Sequence, residues 1–142
     1  MTDLSRALER LAAATEAVDV LDSACTVFEH LRAVLRRHQE DEASAFPAFV
    51  LAACAAANGR DWTGGVWPQR PNAAKQDAAD DLLNGATIAE VAAVIADASD
   101  ALAARLSACA LSAADEAERV CCERAAAEAA TIRALMGGAS PP

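Results

Sequence analysis

The sequence predicts an all-α protein, an antiparallel bundle of about four principal helices and one short helix. Apolar residues recur at spacings of three and four residues over long stretches, which is the period of a helix with one buried face. Alanine, the strongest helix former, supplies much of the 54% apolar content, whereas proline contributes only 5 residues. A chain of 142 residues is most simply one domain, residues 1–142, with a core of its own.

The first half of the chain is predicted to form two helices, over residues 3–18 and 22–57. Each has apolar residues along one face and charged residues on the other. Pro47 lacks a backbone donor and crowds the preceding turn, so a kink or break is expected near it. Asn58 and Gly59 tolerate the conformation that ends helices and are therefore expected to stop the second helix.

The second half of the chain is predicted to contain a short helix and two principal helices. They cover residues 72–83, 87–110 and 112–136. Thr87 and Glu90 have the spacing of a capping box, in which each side chain satisfies a backbone donor near the helix start. Gly137 and Gly138 are expected to end the last helix, and residues 139–142 to form a disordered tail.

Residues 60–71 are predicted to form an irregular loop, because two glycines, two prolines and both tryptophans fall there. Two roles remain open for the tryptophans. They either bury themselves on the end of the bundle, beside Phe46 and Phe49, or contact a ligand or partner. The candidate contact residues are Trp67, Trp62 and Arg70, with Trp67 favoured.

Charge and cysteine content limit the classes of partner. The formal net charge of −9 argues against binding to nucleic acid or to an anionic membrane, since both require a cationic face. The N-terminus begins Met1, Thr2, Asp3 and lacks the apolar stretch of a signal peptide, so a cytoplasmic location is expected. The five cysteines are then expected to be reduced, mostly as small core residues, with Cys25 facing outward.

His38 and Glu42 lie in the middle of the apolar face of the predicted 22–57 helix, four residues apart, where their side chains can touch. One interpretation is a buried histidine held by its carboxylate. The other is a pair of metal ligands, completed by Glu128 and Cys121 on the inward face of the last helix. Imidazole, thiolate and carboxylates suit iron or zinc.

The region around His38 resembles one known family. Leu31, Leu35, His38, Glu42, Phe46 and Pro47 are similar to the second-helix motif of hemerythrin-like (HHE) domains, in which a His-x-x-x-Glu pair precedes an aromatic-Pro step. That resemblance implies a helical bundle with a di-iron centre built from several histidines. The chain contains only two histidines, so the resemblance implies an absent or altered ligand set.

No catalytic motif accompanies these features: the sequence contains no nucleotide-binding glycine loop and no nucleophile elbow. The sequence therefore favours a non-enzymatic helical-bundle module that binds a partner protein or a small ligand. Its alanine-rich helix faces allow pairing with a second copy. The alternative is a hemerythrin-like metal-binding protein with a reduced ligand set.

Overall fold

The computed structural model describes residues 3–64 and 85–139, and they form five α-helices and one 3₁₀ turn. The helices are α1 (Asp3–Ala13), α2 (Ala17–His38), α3 (Phe46–Gly64), α4 (Ile88–Ser112) and α5 (Glu116–Ala139), and the turn is Ala43–Ala45. No strand occurs in these two ranges. The predicted all-α class is confirmed. The predicted short helix over 72–83 lies outside the described residues, as does the tail from residue 140 onward.

Four helices form a ring in which each packs on two others. α2 packs on α3, α3 on α5, α5 on α4, and α4 on α2, while α1 covers α2 and part of α4. Four side-chain contacts show in which direction neighbouring helices run. Cys25 of α2 contacts Arg60 of α3, and Trp62 of α3 contacts Arg124 of α5. Between α4 and α5 the contacts are Cys109 to Cys122 and Asp100 to Arg133. Neighbours in the ring are therefore antiparallel, as predicted. It also follows that the end of α3 and the start of α4 lie at opposite ends of the bundle.

The predicted helix over 22–57 is two helices, because the chain reverses between His38 and Phe46. The backbone N–H of Asp41 donates to the His38 carbonyl at 3.1 Å, and that of Ala45 donates to the Glu42 carbonyl. Pro47 is the second residue of α3, where its missing donor breaks no helical hydrogen bond. The proline thus marks the start of a new helix, and the expected kink is a full reversal.

Asn58 and Gly59 do not end α3, which continues to Gly64. Gly59 is buried, and a Cβ atom at this position would lie 2.4 Å from the Phe28 ring. The glycine is therefore required by close packing between α3 and α2, a role that outweighs its poor helix propensity. The last helix likewise continues past the predicted stop at Gly137 and Gly138 and ends at Ala139.

The Thr87 capping box is confirmed. Thr87 Oγ1 accepts from the Glu90 N–H at 3.1 Å, and Glu90 Oε1 accepts from the Thr87 N–H at 2.8 Å. The apolar residues that recur at helical spacing along this sequence, and that were predicted to form the buried side of α4, are all buried: Ile88, Val91, Ile95, Leu102, Leu106 and Cys109. Local sequence signals were therefore reliable for α4, which ends only two residues beyond its predicted limit.

One continuous core runs through the ring, with α1 contributing Leu4, Ala7 and Leu11. The end of α1 is held by Arg105 of α4, whose guanidinium donates to the carbonyls of Leu11 and Ala14. No helix within the described ranges combines the length and apolarity needed to cross a membrane.

Candidate functional site

His38 is the last residue of α2, and its ring is buried as predicted. Its hydrogen-bond partner, however, is Asp41: the His38 Nδ1–H donates to Asp41 Oδ2 at 2.7 Å. Together with the backbone bond from Asp41 to the His38 carbonyl, this contact closes the first part of the turn between α2 and α3. The histidine is thus tied to the chain reversal.

Glu42 does not share a helix face with His38, so the predicted contact between the two is wrong. α2 ends at His38, and Glu42 lies in extended backbone before the 3₁₀ turn with its side chain exposed. The i, i+4 relation requires an uninterrupted helix. Since the chain leaves the helix directly after His38, the carboxylate three residues on reaches the imidazole instead.

The structure does not bring together the four predicted metal ligands. His38 lies at one end of the bundle. Cys25, roughly 20 Å back along α2, lies at the other end, where it contacts Arg60 near the end of α3. Cys121 lies at that other end, three residues before Arg124, which contacts Trp62. Glu128 is half-buried in the middle of α5. Across residues 3–64 and 85–139, no group of three or more His, Cys, Asp or Glu side chains is arranged to hold a metal ion.

Trp62 belongs to the last turns of α3 and not to an irregular loop. Its side chain is 36% exposed, and the Arg124 guanidinium of α5 lies over its ring at 5.7 Å from the centroid. The predicted packing beside Phe46 and Phe49 is wrong for Trp62, because those two residues lie at the opposite end of α3. Trp67 and Arg70, the other predicted contact residues, lie outside the described residues.

The outward side of α3 carries an uncharged stripe, which we call the α3 stripe. It consists of Pro47, Leu51, Cys54, Asn58 and Trp62, all exposed and spaced by three or four residues. Leu51 is 56% exposed, and Cys54 is exposed as well, although the cysteines were expected to be mostly core residues. The stretch from Phe46 to Gly59 contains no charged residue. A helix without charges on any side must expose an uncharged surface, so this stretch could have predicted the outer face from the sequence.

The remaining sides of α3 explain why the stripe faces outward. α2 and α5 pack against them and bury Phe49, Ala52, Ala53, Ala55 and Ala56. Because apolar residues occupy the whole circumference of the helix, pattern alone could not decide which side would be buried. That choice depends on where the two neighbouring helices lie.

Two cysteines on neighbouring helices are in direct contact. The Cys122 S–H donates to Cys109 Sγ at 3.2 Å, inside the core between α5 and α4. Burial raises the pKa of the Cys122 thiol far above its usual range, with a smaller contribution from the hydrogen bond to Cys109. Burial likewise raises the pKa of the adjacent Cys121. Cys25, predicted to face outward, is also buried, while Cys54 is exposed.

Comparison with known proteins matched the chain to no family model, no curated protein and no solved structure.

Proposed function

We propose that this protein is a non-enzymatic helical-bundle module that binds a partner protein through the α3 stripe. The observation that supports the proposal is the exposed outer side of a helix that carries no charged residue from Phe46 to Gly59 and whose other sides are already packed. Contiguous apolar patches on the surface of a folded chain are commonly sites of protein association. The stripe also includes Trp62, one of the contact residues expected from the sequence.

The shape of the stripe favours a protein over a small ligand. Small molecules are held in concave sites, whereas the outer side of a helix is convex. A partner helix or groove can instead lie along residues spaced by three and four positions, as in ordinary helix packing. Cys54 and Asn58 in the middle are small enough to permit close approach, and Leu51 and Trp62 supply the larger apolar contacts.

Charge is consistent with this choice of surface. The formal net charge of the chain is −9. Its charged surfaces therefore repel acidic partners and attract basic ones, and this long-range attraction does not depend on the shape of the partner. Leu51, Cys54 and Asn58 form a face where association depends on shape and on apolar contact. Selectivity at such a site comes from packing complementarity.

The metal-binding alternative, a hemerythrin-like protein with a reduced ligand set, has less support. His38 is engaged by Asp41, and Cys121 lies towards the other end of the bundle. Elemental analysis of protein purified without a histidine tag distinguishes the two proposals. Stoichiometric iron or zinc, lost on replacement of His38 by Leu, would favour the alternative.

The binding proposal is tested with the natural thiol of Cys54, the exposed cysteine in the middle of the α3 stripe. A photoreactive maleimide attached to this thiol in the folded protein is irradiated in an extract of the native cells. Crosslinked polypeptides are then identified by mass spectrometry. We expect one identified protein, or a second copy of this chain, to be crosslinked. The variant Leu51→Glu should reduce its yield about tenfold or more, because burying an unpaired carboxylate in a contact is costly.

The matched control is Leu111→Glu, at the end of α4. Leu111 is 91% exposed and lies off the α3 stripe, so the same substitution there should leave the crosslink unchanged. Circular dichroism and the unfolding midpoint should match for both variants, since both side chains already contact water. Crosslinks that persist in labelled Leu51→Glu, or that are absent from the labelled protein without a substitution at Leu51, would refute the proposal.

A further inference from the structure

Cys109 and Cys122 form a buried pair of thiols between α4 and α5, and neither residue belongs to the α3 stripe. Their sulfur atoms are 3.2 Å apart, and the two residues are 13 positions apart in sequence on antiparallel helices. A disulfide has a sulfur–sulfur bond of about 2.05 Å, so bond formation requires an approach of roughly 1 Å. Such a shift is within the reach of side-chain rotation and a small movement of α5 relative to α4.

We propose that Cys109 and Cys122 are a redox modification site, a dithiol that a peroxide converts into a reversible disulfide between α4 and α5. The inference is independent of the proposed binding function, because no residue of the α3 stripe takes part. It rests on the contact between two sulfur atoms from different helices, with both side chains enclosed by the same core.

The position of the pair provides a route for the oxidant. Cys109 lies three residues before the end of α4, and Cys122 lies in the second turn of α5, so both are near the end of this helix pair. Helix ends open more readily than helix centres. Cys109 retains 4% exposure and Cys122 has none, so a small peroxide should meet Cys109 first. The high pKa of Cys122 makes its thiolate scarce, and oxidation should therefore be slow in the folded protein.

The reaction balances with a peroxide as the oxidant. The Cys109 sulfur, losing its proton, attacks one oxygen of hydrogen peroxide; the O–O bond breaks, and water leaves with that proton. The product is a sulfenic acid on Cys109. The Cys122 sulfur then attacks the Cys109 sulfur and releases the hydroxyl as a second water with the Cys122 proton. Two thiols lose two electrons in total, and one peroxide becomes two waters. A dithiol reductant reverses the change.

The bond would connect α4 to α5 close to the segment that joins them. Crosslinking residues at this separation removes conformational freedom from the unfolded chain. The oxidised protein should therefore unfold at a temperature roughly 5–10 °C higher than the reduced protein. The modification thus makes the stability of this helix pair depend on the redox state.

The experiment uses the full chain carrying Cys54→Ser, so that the exposed thiol cannot link two molecules. The folded protein is treated with hydrogen peroxide, quenched, unfolded and alkylated. Intact mass should show four alkylated cysteines before oxidation and two after it. Dithiothreitol should restore both the four modifications and the lower Tm.

Three further variants in the Cys54→Ser background assign the pair. Cys121→Ala retains both contacting sulfurs and should still lose two alkylation sites on oxidation. Cys122→Ala should lose at most one site, the Cys109 sulfenic acid, because no partner thiol remains to form the disulfide. Cys109→Ala should lose none, and circular dichroism checks that each variant is folded. The proposal is overturned if Cys122→Ala still loses two sites, if the unsubstituted pair stays fully alkylatable, or if oxidation yields only sulfinic acids.

Discussion

At the scale of single residues, Gly59 and His38 show how contacts with neighbours decide a role. Gly59 lies against the ring of Phe28, which is completely buried. His38 is buried at the end of α2 and donates to Asp41 across the turn. Glu42, one position further, is exposed. Because α2 ends at His38, the imidazole meets the carboxylate three residues on instead of the one four residues on.

Gly59→Ala should destabilise the protein by about 1–2 kcal/mol. Alanine gains up to about 1 kcal/mol in helix propensity, but its Cβ would overlap Phe28, and overpacking costs about 1–3 kcal/mol. Urea unfolding followed by circular dichroism measures the change.

The control for this substitution is Gly137→Ala on α5. Gly137 is exposed, and a Cβ there would meet Arg133 at an ordinary 3.5 Å. The free energy of unfolding of the Gly137→Ala variant should be unchanged or raised by up to about 1 kcal/mol. A Gly59→Ala variant as stable as the parent would show that the helices separate without cost and that close packing does not explain the glycine.

At the scale of elements, α4 begins where its own sequence specifies, whereas α2 and α3 do not end where theirs suggests. The capping box at Thr87 satisfies two backbone donors from within four residues. The turn after α2 instead combines a proline two residues into the next helix with the contact between His38 and Asp41. Signals within one turn of helix are enough for a cap, but a chain reversal also needs a neighbour to pack against.

Thr87→Ala should destabilise the protein by about 1 kcal/mol, because the Glu90 N–H loses its side-chain acceptor. The midpoint of thermal unfolding provides the measurement. Ser112→Ala is the comparison at the other end of α4, where the hydroxyl only donates to carbonyls of its own helix. That change should stay within about 0.5 kcal/mol. Equal effects of the two substitutions would argue against a stabilising role for the capping box.

At the scale of the whole molecule, Arg105 connects the first helix to the ring. Its side chain comes from α4 and donates to carbonyls of Leu11 and Ala14, at the end of α1. The carbonyls in the last turn of a helix lack the usual intrahelical donors four residues on, and the guanidinium supplies donors in their place. Leu4, Ala7 and Leu11 complete the attachment through the core.

Arg105→Met keeps the length of the side chain and removes the donors, so α1 should open more often than the rest of the bundle. Amide hydrogen exchange in Asp3–Ala13 should accelerate about tenfold, which corresponds to the net worth of one charged hydrogen bond. Arg133→Met, which removes an exposed pair with Asp100 between α5 and α4, is the control and should leave α1 unchanged. Unaltered exchange in the Arg105 variant would mean that apolar packing alone holds α1.

The candidate site was only partly predictable at this scale. Trp62 was expected as a contact residue and is exposed, but the exposure of Leu51 and Cys54 was not foreseen. α3 is apolar around its circumference, so no periodic signal distinguishes its inner from its outer side. The contact between Cys109 and Cys122 was likewise unpredictable, because it depends on the register of two helices.

The all-α class, the start of α4 and the buried stripe from Ile88 to Cys109 could all be predicted from the order of the amino acids. These features depend on helix propensity, capping and periodicity, all of which act within a few residues. Packing between helices, in contrast, determines the reversal after His38, the continuation of α3 through Gly59 and the side of α3 that faces outward. Each of these features depends on which helix packs alongside. A contact between residues far apart in the chain cannot be predicted from the local sequence around either residue.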